Sequence, residues 1–176
     1  MSRVSPLFSP SSTTPNRPTR LERILAYRCF LTLALTVFAL DQATKLWIVH
    51  RLPYNSYGDP WHIAVIPGFF NLVHVGNTGA AWSLFAGKSS LLAVLAVGTL
   101  IAIFRWRRSL GLNILPVQIS FGLLVGGIVG NLLDRMVHGH VIDFLDFHFG
   151  NYIYPTFNVA DSGICVGVVV YLWFSL

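Results

Sequence analysis

Residues 110 to 133 run for 24 positions without a charged side chain, closed by Arg108 on one side and Asp134 on the other. A helix over that run is about 36 Å long at about 1.5 Å per residue, enough to cross a bilayer core of about 30 Å. Three further apolar stretches predict companion helices, giving four at about 26–48, 89–106, 110–133 and 156–176. The composition agrees, with 54% hydrophobic residues, a mean hydropathy of +0.63 and 11% charged residues. A soluble domain carries about 25% charged residues, and a chain near this length buries only about 70% of its unfolded surface. An ordinary soluble domain, a disordered chain and a disulfide-stapled secreted module are therefore excluded. The expected class is an all-α membrane protein with four transmembrane helices and a small extracytoplasmic β element.

The charges supply an orientation. The net charge is +5, but Arg3, Arg17, Arg20, Arg23 and Arg28 precede the first apolar run, and Arg105, Arg107 and Arg108 separate the second from the third. Two compact basic segments suit cytoplasmic regions under the positive-inside rule rather than a nucleic-acid surface. Both termini are then cytoplasmic, and the loops at 49–88 and 134–155 face outward. Residues 1–22 read as a disordered basic cytoplasmic tail rich in Ser, Thr, Pro and Arg. A transit peptide shares that composition, and Val37 and Ala39 fit a small-residue cleavage pattern. The first run continues helically into Asp41-Gln-Ala-Thr-Lys45, which favours a retained anchor. Residues 23–176 form one four-span domain.

In the outer loops, Ile63 to Pro67 and Phe69 to Val75 predict short strands broken at Pro67-Gly68, and Phe144 to Tyr154 predicts an interfacial hairpin around Gly150-Asn151. Cys29 and Cys165 are expected at different depths, roughly 12 Å apart along the membrane normal, which predicts two free, buried thiols. Gly122, Gly126, Gly127 and Gly130 suit close helix packing better than a ligand site.

Ionisable residues at membrane depth are costly and direct attention to function. Asp41 and Lys45, at i and i+4, share a helix face; the residues alone allow either a structural pair, with Lys45 snorkelling to the headgroups, or a site. Asp134-Arg135, at the end of the third run, likewise allows either a simple helix-end pair or a site. Asp143 and Asp161 both lie in apolar surroundings that do not suit solvated acids. If they meet, poor solvation and like charge separate their pKa values, so that one acts as base and the other as acid. A helix cap or a buried structural acid is the alternative. His138, His140, Asp143 and His148 could suggest zinc, yet no His-Glu-x-x-His occurs, and no metal or organic cofactor is expected. Ser83 and Ser162 lack a base at suggestive spacing, and no Gly-x-Ser-x-Gly occurs.

Asp41-Gln-Ala-Thr-Lys45, Asn77-Thr-Gly-Ala-Ala-Trp-Ser83, Gly130-Asn-Leu-Leu-Asp-Arg135, Gly139-His-Val-Ile-Asp143-Phe and Phe157-Asn-Val-Ala-Asp161-Ser together resemble lipoprotein signal peptidase, or signal peptidase II. Each motif alone is weak; five in order from Asp41 to the C-terminus are specific. The resemblance implies a bacterial inner-membrane aspartyl endopeptidase that cleaves diacylglyceryl-modified prolipoproteins just before the lipidated cysteine. It places the catalytic aspartates at Asp143 and Asp161, with support from Asp41, Lys45, Asn77, Asn131, Arg135 and Asn158, and Asp134 beside them. It also implies inhibition by globomycin-type cyclic peptides. Trp82 stands where the family more commonly has Phe, and Gly76 where it often has Arg. The rival reading is a small transporter using Asp41, Lys45, Asp143 and Asp161 as an ion or proton relay. A relay predicts acids staggered through the membrane, whereas those after Glu22 fall at or beyond one face.

Overall fold

A computed structural model describes Thr19 and residues 25–176 apart from 59, 81 and 83; the basic tail expected over 1–22 lies outside the described residues, Thr19 excepted. The element order is α1 (Arg28–Arg51), β1 (Ile63–Ile66), β2 (Phe70–Asn77), α2 (Ser89–Trp106), α3 (Leu115–His138), β3 (Val141–Phe149), β4 (Tyr152–Ile153) and α4 (Val159–Ser175). The protein is mostly helical, with a small antiparallel sheet. α1, α2 and α3 are long and apolar enough to cross a membrane, and α4 is a shorter apolar helix of 17 residues.

The helices bury their polar residues and expose their apolar ones. In α1 the buried positions are Val37, Asp41, Lys45 and Ile48, a stripe at spacings of four, four and three, while Leu35 is 67% exposed. In α3 the buried set is Gln118, Ser120, four glycines, Asn131 and Asp134. This inverts the pattern of a soluble bundle, because the outward surface meets hydrocarbon and buried polar groups find partners within the protein. α3 is the central helix, packed extensively on α1 and α4, with α2 leaning on it more lightly. The glycines permit this: a methyl group on Gly126 would stand 2.6 Å from the Ala34 carbonyl oxygen, and one on Gly127 would collide with that of Ala160.

Several expected boundaries shift. The third helix spans 115–138 rather than 110–133. Gly111, at φ +73°, turns the chain, and Pro116 occupies the first helical turn, where its missing N–H costs least. At its far end the helix passes through Asp134-Arg135, because both side chains find internal partners. It stops at Gly139, whose φ of 76° closes the left-handed cap and delivers the chain to β3. α1 extends to Arg51 instead of stopping near 48, and α4 starts at Val159 because Asn158 caps it. The thiols are free, but Cys29 is half-buried and Cys165 exposed, a correction to the expected burial.

The two expected hairpins merge into one four-stranded sheet of order β1-β2-β3-β4. β2 pairs antiparallel with β3, placing Val75 opposite Asp143 and Asn77 opposite Val141, with an irregularity between Leu72 and Val75. The Phe157 carbonyl accepts from the backbone N–H groups of Phe144 (3.1 Å) and Leu145 (2.9 Å), laying the approach to α4 along β3. Ile48 of α1 and Leu52 just after it pack against Phe144, seating the sheet on the bundle.

Candidate active site

Asp143 is the third residue of β3 and Asp161 lies in the first turn of α4, and Asn158 connects them. Its side-chain oxygen accepts from the Asp161 backbone N–H (2.9 Å), while its own N–H donates to Asp161 Oδ2 (3.3 Å), a reciprocal capping box. Its side-chain amide donates to Asp143 Oδ1 at 2.7 Å. The helix-cap reading of Asp161 is thus correct locally, and the cap itself sets that carboxylate beside Asp143. Asn77, at the end of β2, donates to Asp143 Oδ2 (2.9 Å), and Asn131 on α3 donates to Asp161 Oδ1 (2.7 Å). Each aspartate is held by amides from two different elements.

Asp143 is 2% exposed. Burial, followed by the neighbouring Asp161 carboxylate, pushes its pKa up to about 7, against the opposing pull of the Asn77 and Asn158 amides. A carboxyl group poised near neutrality can hold a proton in one step and release it in the next.

Behind the pair lies a second polar layer. Lys45 Nζ donates to Asp41 Oδ2 (2.8 Å) and Asn131 Oδ1 (3.1 Å) and forms an ion pair with Asp134 Oδ2 (2.8 Å); it is 1% exposed, so it does not snorkel. Asp41 Oδ1 accepts the backbone N–H of Ala160 (2.9 Å), and Asp134 Oδ2 accepts that of Ile142 (3.1 Å). These amides directly precede Asp161 and Asp143. Asp134 and Arg135 do not form a simple helix-end pair. Arg135 instead donates to the carbonyls of Asn131 (3.3 Å) and Gly79 (3.1 Å), tying the loop after β2 to α3.

The cleft has two lobes. One, of about 420 Å³, is lined by Asn77, Thr78, Asp143, Tyr57 and Thr156; the other, of about 390 Å³, is lined by Asn131, Arg135, Asp161, Phe157, Ile164 and Cys165. They share Asn77, Gly79, Ala80, Trp82 and the segment Tyr154 to Thr156, so the cleft is continuous. Trp82 and Tyr154 meet edge-on across it with centroids 6.3 Å apart. The other sequence candidates scatter: His148 bonds Asp146 (2.7 Å), His140 packs near Tyr54 and His138, and Ser162 donates to the Asn158 carbonyl. Ser83 lies outside the described residues.

Sequence reasoning missed Gln42. Its amide reaches Asp41 Oδ2 (3.1 Å), Asp134 Oδ1 (3.1 Å) and the Gly130 carbonyl (3.4 Å). The available signal was its place between Asp41 and Lys45, an uncharged polar residue in an apolar helix.

The chain is similar to proteins of known kind. A family model described as signal peptidase (SPase) II matches residues 33–176. The lipoprotein signal peptidase of Azoarcus sp. (strain BH72) is 41% identical over 154 residues, covering 84% of this chain and 82% of the relative. That of Shewanella baltica (strain OS195) is 35% identical over 144 residues, covering 80% and 81%. Two bacterial membrane enzyme structures obtained by the in meso method, at 2.3 Å and 1.9 Å, are each 31% identical. Their TM-scores are 0.70 and 0.69; the match covers 81% of this chain and 84% of the first, and 84% and 92% for the second.

Proposed function

The chain belongs to the signal peptidase II family, a family of membrane aspartyl proteases, and from that premise we propose how it works and on what. Asp143 and Asp161 are the catalytic pair, and the substrate is a diacylglyceryl-modified prolipoprotein cut on the N-terminal side of its lipidated cysteine. The single observation that carries this reading is the pair of buried carboxylates joined through Asn158 and opening into one cleft. The transporter alternative has no support: the relatives are peptidases, and the acids gather in one connected network instead of being staggered.

In the reactive form Asp143 holds the proton of the pair and Asp161 is the base. Asp161 removes a proton from water as the oxygen attacks the scissile carbonyl, and Asp143 protonates the carbonyl oxygen to give a neutral tetrahedral diol. On collapse, the Asp161 proton passes to the cysteine nitrogen and Asp143 recovers its own. The C–N bond breaks, releasing a signal-peptide carboxylate and a new amine on the lipidated cysteine. Asn77, Asn131 and Asn158 keep both carboxylates in place, and Arg135 fixes the loop roofing the cleft at Gly79. The lobe lined by Phe157, Ile164 and Cys165 suits an acylated residue, and the lobe beside Tyr57 and Thr78 suits polypeptide.

The fold supports four spans, with α4 as the shortest. Both termini are cytoplasmic, residues 23–176 form the peptidase domain in the bacterial inner membrane, and the cleft faces outward. Globomycin-type cyclic peptides, by family resemblance, block the same cleft. The test is cleavage of a diacylated preprotein by purified protein in detergent or vesicles. Asp143→Asn and Asp161→Asn are each expected to lower the rate by about 10³-fold or more, as loss of an essential acid or base does. Full cleavage by either folded variant rejects the pair.

A further inference from the structure

The two aspartates are held from behind by one compact arrangement, and one of its members has no assigned role. Asp41 accepts the amide N–H just before Asp161, and Asp134 accepts the amide N–H just before Asp143. Lys45 bridges the two supporting carboxylates, at 2.8 Å to each. Gln42 bridges them as well, at 3.1 Å to Asp41 Oδ2, which Lys45 also contacts, and 3.1 Å to Asp134 Oδ1, the oxygen Lys45 leaves free. Two carboxylates and one ammonium leave an excess negative charge inside the protein, and the Gln42 amide supplies two donors against it without adding charge.

We propose that Gln42 is a positioning residue of this peptidase, the second brace that holds Asp41 and Asp134 together and so fixes the spacing of Asp143 and Asp161. The inference rests on the assignment of those aspartates as the catalytic pair. Gln42 lines neither lobe of the cleft, so its influence falls on the catalytic step rather than on substrate binding. A substitution that adds charge is more informative than a truncation. In Gln42→Glu, a protonated carboxyl still donates one hydrogen bond, whereas an ionised one adds a third negative charge facing Asp41 and Asp134, with Lys45 as the nearby cation.

The experiment measures kcat and KM of the full-length wild type, Gln42→Ala, Gln42→Glu and Asp143→Asn from pH 5 to pH 8 on a diacylated preprotein, with a thermal midpoint for each. Gln42→Ala is expected to lose about tenfold in kcat, the scale of a lost hydrogen bond to a charged group, with KM within about twofold. For Gln42→Glu, the kcat ratio to wild type at each pH is expected to fall about tenfold or more between pH 5 and pH 8. Taking the ratio cancels the titration of the catalytic pair itself. Wild-type kcat in Gln42→Ala, or a Gln42→Glu ratio independent of pH, overturns the proposal. So does a loss that merely follows the fraction unfolded. If Gln42→Ala fails to fold, the pH ratio of Gln42→Glu decides alone. Full activity in Asp143→Asn instead rejects the underlying pair, a result separate from either Gln42 outcome.

Discussion

At the scale of single residues, the proposed mechanism depends on giving one carboxyl group an environment that resists ionisation. Asp143 is surrounded by protein on nearly every side and faces Asp161, so its pKa rises from an ordinary 3.8 to about 7. The same rise links to stability. A folded pKa above the unfolded one gives a contribution that is complete below about pH 3.8 and lost as pH rises through about 7. Each tenfold weakening of the acid on folding is worth at most about 1.4 kcal/mol. The wild-type thermal midpoint is therefore expected to fall between pH 5 and pH 8, and that of Asp143→Asn to change less. Scanning calorimetry of both proteins checks this; parallel curves would mean that Asp143 ionises as freely as an exposed acid. If Asp143 is the proposed acid, the alkaline limb of the cleavage profile should also lie near pH 7, where it loses its proton. The two aspartates could be picked out in the sequence because acids in apolar stretches are unusual. Gln42 gave only the weak signal of a polar residue in an apolar helix, since an amide next to a charged residue has many ordinary uses and its acceptors on α3 are 88 and 92 positions away.

At the scale of elements, the catalytic geometry depends on how close α4 stands to α3. The contact rests on Gly127, whose missing side chain leaves room for the Ala160 carbonyl; a Cβ there would also stand 2.8 Å from Ile164 Cγ1. Gly127→Leu must push α4 outward at the residue preceding Asp161 and stretch the 2.7 Å bond from Asn131. Overpacking typically costs about 1–3 kcal/mol, so a midpoint lowered by several degrees and a loss of cleavage are expected. Gly98→Leu on α2 is the control, because a Cβ at Gly98 meets nothing within 4 Å, and it should stay within about 0.5 kcal/mol of wild type. Thermal unfolding and cleavage assays on both variants give the answer, and equal behaviour would remove the packing argument. The helices were legible because length and hydropathy report them directly. Their ends were less so: the apolar run begins at Leu110, but Gly111 and Pro116 delay the helix, and the run stops at Asp134 while the helix continues to His138. The β2–β3 pairing was not legible, since Asn77 and Val141 are joined across 64 positions by a register that local patterning does not encode. Without that pairing Asn77 does not reach Asp143.

At the scale of the whole molecule, an arginine cluster marks one end of the bundle and the cleft the other. The α2–α3 turn carries Arg105, Arg107 and Arg108, with Arg107 folded over the Phe104 ring at 4.6 Å and donating to the Phe104 carbonyl. The sheet, the cleft and the exposed aromatics Trp61, Trp82 and Tyr152 are built from the loops at the other ends of these helices. The arginine cluster in the α2–α3 turn matches a chain inserted with those bases in the cytoplasm, as the proposed orientation requires. A lipidated cysteine is held at the outer surface by its acyl chains, so a cleft there meets the scissile bond without drawing the polypeptide into hydrocarbon. The proposed orientation predicts opposite labelling of two exposed positions, Ser109 in the α2–α3 turn and Asn151 in the β3–β4 turn. Cys29 and Cys165 are first replaced by Ala, with cleavage measured to confirm that the protein remains active. Asn151→Cys should then react with a membrane-impermeant maleimide in intact spheroplasts, and Ser109→Cys only after permeabilisation. Because α2 and α3 flank Ser109, the reverse pattern would turn both helices over and place the cleft on the cytoplasmic side, where the substrate's acyl chains could not present the bond to it.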